Sequence, residues 1–317
     1  MPYIPKNIEL YIDAAKKIGL TAEIMESGNR FPLLVSNKEK FAIINTKSPG
    51  FYPNVSRMQA TLTGNKILTQ TILKRLGYKT IETELVKVNS FKSTEEIIDY
   101  TNKSTRVFPV LLKPNFGGDG KNICIVSNTK ELREATTHYY KLKKSFLFQP
   151  IISQPEYRIL VVNNEVQLVH SKANQFIVGN GKSTISELLS EVKNDKKDDV
   201  FIEWQHKKHN LSPSCVLEAG KHFEHHLARN PSTDYYCTKD FDPDMERWAL
   251  DLAKKLSAPV LGIDVFVPGS LSETDSYTII ELNSNPAIYY LPARCNDNVT
   301  GPRIAEKVLR DYFNIKK

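Results

Sequence analysis

The stretch Tyr277-Thr-Ile-Ile-Glu-Leu-Asn-Ser-Asn-Pro286 carries the decisive pattern of this chain. Apolar and β-favouring residues deliver an acid, Glu281, and an amide, Asn283, two positions later. On a strand, residues i and i+2 share a face, so these two present hard oxygen donors side by side, a set that suits Mg2+. Just upstream, Val260-Leu-Gly-Ile-Asp-Val-Phe-Val267 has the composition of a buried strand with a lone acid, Asp264, in its middle. A buried carboxylate is costly unless a cation or a hydrogen-bond donor compensates it. Two readings fit these residues alone. Either the two strands build a metal site that handles phosphate, or Asp264 caps a neighbouring backbone and Glu281 opens a turn before Pro286.

A second segment, Leu111-Leu-Lys-Pro-Asn-Phe-Gly-Gly-Asp-Gly-Lys121, bears on that choice. Lys113 ends an apolar strand, and its charge leaves that setting in a fixed direction. Gly117, Gly118 and Gly120 allow backbone N–H groups to converge on phosphate oxygens. A hairpin loop needing positive φ at glycine accounts for the same residues, but the lysine at the strand end favours phosphate. The spacing is neither that of a Walker loop nor that of a dinucleotide fingerprint. Gly179-Asn-Gly-Lys-Ser-Thr184 imitates the tail of a Walker loop, yet Phe176 stands where its first glycine belongs. His222 and His226 have helical i, i+4 spacing without a third ligand nearby, and an exposed polar loop explains them as well as zinc does.

Bulk properties exclude several classes. No apolar run approaches the roughly 20 residues of a membrane helix, and the start, Met-Pro-Tyr-Ile-Pro-Lys, lacks the layout of a secretory signal. Cys124, Cys215, Cys237 and Cys295 lie far apart with no CxxC pair, as expected of free thiols in a reducing compartment. The expectation is a cytoplasmic protein with no membrane partner. The net charge of +7 is dispersed, and the densest run, Lys193–Asp199, alternates in sign. A nucleic-acid binder would instead cluster its basic residues with interleaved aromatics. An anionic small molecule fits the surplus better.

Along the chain, helix signals include Ile8–Ile18 closed by Gly19, Asn65–Gly77, a capping box at Ser93–Glu96, a start at Thr129, Thr184–Glu187, Asp242-Pro243, and a last helix carrying Ile304, Val308, Leu309 and Tyr312. Strand signals include Phe41–Asn45, Val107–Lys113, Asn122–Val126, Phe146–Ile152, and a hairpin of Tyr157–Val162 with Glu165–His170 across Asn163-Asn164. Irregular alternation with adjacent-strand hairpins gives an α+β class. The turn-rich Lys47–Asn54 marks a plausible boundary.

In order and spacing, these features resemble the ATP-grasp superfamily. The narrower likeness is to the ATP-grasp portion of cyanophycin synthetase, with kinship to bifunctional glutathione synthetases and ribosomal-protein glutamate ligases. It is carried by Asn65-Lys66 with the helix to Gly77, Lys113-Pro114 with its glycines, Tyr157-Arg158-Ile-Leu-Val-Val162, Val178–Ile185, Glu281-Leu-Asn283 with Pro286, and Gly301–Val308. The resemblance implies an N-terminal α/β subdomain over 1–63 and an ATP-grasp domain over 64–317. In the latter, two α+β subdomains clamp the nucleotide, with a lid at about 107–150.

The resemblance also implies roles. Lys66 and Lys113 match the phosphate-contacting lysines, Gln149 the adenine-holding hinge, and Glu156 the ribose-binding acid. Asp264, Glu281 and Asn283 match ligands of Mg2+, with Mn2+ as an alternative ion. Arg158, Lys172, Arg229 and Asn230 fall where relatives place phosphate- and substrate-facing groups. Lys172 replaces a common arginine, and the two differ at a bidentate site. Asn230-Pro-Ser-Thr-Asp-Tyr-Tyr236 lacks the Ser/Thr-Gly-Gly turn frequent in this subgroup. The implied activity is an ATP-dependent, ADP-forming carboxylate–amine ligase acting on small-molecule carboxylate and amine substrates through an acyl phosphate. A nucleotide-binding module without turnover and a small-molecule kinase are the alternatives, and homo-oligomerisation is left open.

Overall fold

The computed structural model describes residues 6–25, 32–44, 52–102, 108–118, 122–152, 154–192, 199–230, 237–238, 242–268, 276–286, 288, 291 and 299–316. In chain order the elements are α1 (Lys6–Lys17), β1 (Thr21–Ile24), β2 (Leu33–Ser36), β3 (Phe41–Ile44), α2 (Arg57–Gly64), α3 (Lys66–Arg75), β4 (Glu84–Val86), α4 (Thr94–Asn102), β5 (Val110–Pro114) and β6 (Cys124–Val126). There follow α5 (Thr129–Lys141), β7 (Phe146–Pro150), β8 (Glu156–Val162), β9 (Glu165–Val178), α6 (Ile185–Ser190), α7 (Asp199–His209), β10 (His222–Asn230) and β11 (Cys237–Thr238). The chain closes with α8 (Pro243–Lys255), β12 (Val260–Phe266), β13 (Thr278–Asn283) and α9 (Thr300–Phe313).

The chain divides into two compact units. The first comprises Met1–Gly64, Gln154–Ser171 and Thr233–Lys317. Here β8 pairs antiparallel with β12 and β12 with β13, while the first half of β9 flanks β8. Asn163 and Asn164, both at positive φ, make the β8–β9 hairpin turn, a conformation asparagine tolerates better than most residues. β8 and β12 alternate between two faces. Leu160, Val162 and Val260 join Ile8, Tyr11 and Ala15 of α1, Leu33 and Val35 of β2, and Ile304, Val308 and Leu309 of α9 in one core. The opposite face packs on α8, whose Met245, Ala249 and Leu252 are buried at helical spacing. The N-terminal segment therefore shares a core with the strand that carries Asp264.

The second unit comprises Asn65–Ser153 and Lys172–Ser232. Its antiparallel sheet has the order β4-β7-β5-β6. Val86, Val110, Leu112, Val126, Phe146 and Phe148 cover one face and pack with Ile97 of α4 and Leu132, Ala135 and Tyr139 of α5. The second half of β9 pairs with β10, and Ile177, Ile185, Leu189, Leu217 and Phe223 form a smaller core beside them. Among the described residues no helix is long and apolar enough to cross a membrane.

Two imitators of functional motifs receive structural roles. At Gly179, a Cβ would lie 2.1 Å from the Glu218 carbonyl oxygen and 2.6 Å from that of Leu217. Only glycine allows that approach. Asn180 Oδ1 accepts the N–H groups of Lys182 (2.9 Å) and Ser183 (2.7 Å), and Thr184 with Glu187 forms a capping box on α6. The stretch is a turn leading into a capped helix, as the misplaced Phe176 predicts. His222–His226 is part of β10, not an exposed loop or a helix, and the His222 ring stacks on Phe176 at 4.0 Å. On a strand, i and i+4 positions lie too far apart to chelate one ion.

Candidate active site

In the first unit, register alone assembles a polar row. Asp264 faces Arg158 on one side and Glu281 on the other. Directly opposed residues of antiparallel strands share a face, so the three side chains stand in line across β8, β12 and β13. Asn283 follows on that face opposite Gly262, and Glu156 lies two residues before Arg158 opposite Phe266. A bulge between Asp264 and Val265 lets Ile279 and Leu282 both turn inward while Glu281 and Asn283 stay in the row. The row continues the face whose other end is the apolar core of Leu160 and Val260.

Asp264 is fully buried, and its compensating cation is an arginine. Arg158 Nε donates to Oδ1 at 2.6 Å and Nη2 to Oδ2 at 2.7 Å. This fork-to-fork pairing is the strong, geometrically specific form of an ion pair. It answers the burial argument for a metal at Asp264, because a donor already offsets the desolvated carboxylate. A Cβ at Gly262 would stand tightly, 3.3 Å, against Pro286 Cβ and in ordinary contact with Asn283 Cβ at 3.5 Å and Arg158 Cδ at 3.6 Å. Glu281 and Asn283 are half-buried, and Asn283 Oδ1 accepts the Asn285 backbone N–H at 2.8 Å. Glu156 is buried.

In the second unit, Asn65 caps α3 by accepting the Leu68 N–H, which places Lys66 in the first turn. Asn115, buried at the end of β5, ties this helix start to the glycine segment. Its carbonyl accepts from Lys66 N (3.2 Å) and its Oδ1 from Ile67 N (2.9 Å). Lys66 Nζ donates to the Gly117 carbonyl at 2.6 Å. Gly117 has φ +107, a conformation that favours glycine. Gly118 has open space where a side chain would project. A helix N-terminus, a lysine and a glycine turn thus meet, the ingredients of an anion site.

Lys113 faces Leu147 and Leu111 faces Gln149 across β5 and β7, on the face away from α4 and α5. Lys113 and Gln149 are both buried there, and Gln149 Nε2 donates to Thr83 Oγ1 at 2.7 Å. Lys172, in β9, precedes Ala173, the register partner of Asn230 in β10, so Lys172 and Arg229-Asn230 belong to one end of a ladder. The side chains of Arg229 and Asn230, Gly120, and the loop 231–236 lie outside the described residues. The sequence missed Asn115 and the Arg158–Asp264 pairing. An asparagine after Lys-Pro was a usable signal for the first, whereas strand neighbours are not written in one strand's pattern.

Residues 63–180 match the RimK-like ATP-grasp domain model. The chain is 26% identical over 337 residues to the glutathione biosynthesis bifunctional protein GshAB of Clostridium perfringens, covering 96% of this chain and 40% of that protein. It is 28% identical over 158 residues to cyanophycin synthetase of Trichormus variabilis, covering 46% of this chain and 17% of that one. The crystal structure of a bifunctional glutathione synthetase from Pasteurella multocida superposes with a TM-score of 0.56 at 18% identity, covering 98% of this chain and 44% of that one. The chain thus spans less than half the length of each of these relatives. It has an α+β architecture, and its residues 63–180 are similar to the RimK-like ATP-grasp domain.

Proposed function

We propose that this protein is an ATP-dependent, ADP-forming carboxylate–amine ligase that joins amino acids or small peptides through an acyl phosphate. The observation that carries this is the placing of Glu281, Asp264 and Asn283 on one face by strand register. The likeness of residues 63–180 to the RimK-like ATP-grasp domain and the relatives' names, glutathione biosynthesis and cyanophycin synthetase, support it.

The residues fit the chemistry. A substrate carboxylate attacks the γ-phosphorus of ATP, ADP leaves, and an amine then displaces phosphate from the acyl phosphate. Phosphoryl transfer mainly requires positioning and charge neutralisation. Lys66, at a helix start beside Gly117, and Lys113, on the strand leading to it, supply fixed positive charge for phosphate oxygens. Glu156, Gln149 and Lys172 with Arg229 and Asn230 are assigned to ribose, adenine and substrate respectively. The donor set of Asp264, Glu281 and Asn283 fits Mg2+, and Mn2+ in its place, by its hard oxygens. Glu281 and Asn283 are the accessible members, since Arg158 already engages Asp264. When bound, the ion neutralises charge on the phosphate oxygens. A cytoplasmic location belongs to the same reading, because the ligase it describes needs a supply of ATP.

The test is to incubate the protein with ATP, Mg2+, hydroxylamine and a panel of amino acids and small peptides as carboxylates. Hydroxamate with stoichiometric ADP is expected, and AMP would sink the acyl-phosphate route. The closed Arg158–Asp264 pair favours a second reading, a nucleotide-binding module without turnover. Nucleotide binding with no ADP across the panel would establish that instead, and a stable phosphorylated product without amide would mark a kinase.

A further inference from the structure

Three hydrogen bonds run from residues 52–63 onto the segments around Glu281 and Asn283, two to backbone carbonyls and one to a side-chain hydroxyl. Tyr52 Oη donates to the Pro286 carbonyl at 2.5 Å. Gln59 Nε2 donates to the Val260 carbonyl, at the start of β12, at 2.6 Å. Thr63 Oγ1 donates to Ser284 Oγ, the residue after β13, at 2.8 Å. Gln59 and Thr63 are four apart on α2 and so share a helix face. Ser56 fixes the start of that helix, its carbonyl accepting Ala60 N and its Oγ accepting Gln59 N. Tyr52 is 3% exposed and Gln59 1%, so their two contacts are shielded from competing water, while the Thr63–Ser284 contact is part-buried.

The points received are those that set where the oxygen donors stand. Val260 is two residues before Gly262, which faces Asn283. Ser284 and Pro286 bracket the turn in which the Asn285 N–H holds Asn283 Oδ1. Donors must be held to within about 0.5 Å for a productive site, and a strand end followed by a turn is otherwise free to fray.

We infer that Tyr52, Gln59 and Thr63 are positioning residues for the Glu281–Asn283 oxygen pair, which makes α2 a structural part of the cation site. This rests on the ligase reading of that site. The experiment titrates Mn2+ into the full chain with saturating ADP and follows free Mn2+ by electron paramagnetic resonance. Thr63→Val and Tyr52→Phe each delete one hydroxyl at nearly constant volume. The expectation is a rise of about tenfold in the Mn2+ Kd, the lower end for groups that orient ligands. Thermal midpoints should stay within about 5 °C of the parent, and Thr63→Ser should restore binding. An unchanged Kd in both variants, with Mn2+ binding lost in Glu281→Gln, overturns the inference and leaves the ligase site standing. A parent protein that binds no Mn2+ alongside ADP overturns both.

Discussion

Arg158 grips both carboxylate oxygens of Asp264 from the facing position on the neighbouring strand. With Asp264 wholly buried and Arg158 partly buried, removing the arginine leaves an uncompensated buried charge. Such losses cost about 3–5 kcal/mol, whereas replacing both partners with apolar residues is often near neutral. Arg158→Met should therefore lower the urea midpoint sharply, and adding Asp264→Leu should recover most of the loss. A double variant as unstable as the single one would refute that account of the pair.

Glu281 stands in the same row but is half-buried, and its exchange creates no cavity. Glu281→Gln should leave the thermal midpoint within about 2 °C, since substitutions without a named core or network defect stay near ±0.5 kcal/mol. ADP formation should fall by more than about a hundredfold, as expected when a charge-stabilising group is lost. Unchanged turnover would remove Glu281 from the cation site.

Two glycines separate packing from function. At Gly179 a methyl group would collide with the Glu218 and Leu217 carbonyls, so Gly179→Ala should destabilise by about 3 kcal/mol through overpacking. At Gly117 there is space but φ is +107, and alanine there stores about 1–3 kcal/mol of local strain. Gly117→Ala should stay folded and bind ATP more weakly, because Lys66 and Asn115 meet at this turn. Equal ATP affinity in calorimetry would show that the turn does not touch phosphate.

Much of this was legible because alternation on a strand is a strict code. Glu281 and Asn283 of Tyr277–Pro286 fall on one face in the structure, as their spacing requires, and register sets Asp264 of Val260–Val267 opposite Glu281. What one strand's pattern cannot carry is the identity of its neighbours. β12 lies between β8 and β13, and only that topology places Arg158 on Asp264. β9 runs to Val178, well past the expected His170, because pairing with β10 recruits the polar Lys172–Gln175, whose composition argues against a strand. The contacts from Tyr52, Gln59 and Thr63 were hidden for a related reason, spanning more than 200 residues of chain.

The packing of α1 on α9 contributes a pH dependence unrelated to catalysis. Glu306 accepts from Lys17 at 2.7 Å and from Arg310 Nε at 2.8 Å. These two bonds, Lys17 first, hold its carboxyl below the usual glutamate range. A folded-state value below the unfolded one means the unfolded chain takes up the proton more readily. The pair therefore stabilises fully above the unfolded pKa of about 4.3. That contribution is lost as pH falls through the lowered folded value. Lys17 is largely exposed, so solvent screening keeps it to about 1 kcal/mol or less. Urea midpoints of the parent and Glu306→Gln should differ most near neutral pH and converge in acid. A difference that grows on acidification would show that Glu306 is not held ionised by its two partners.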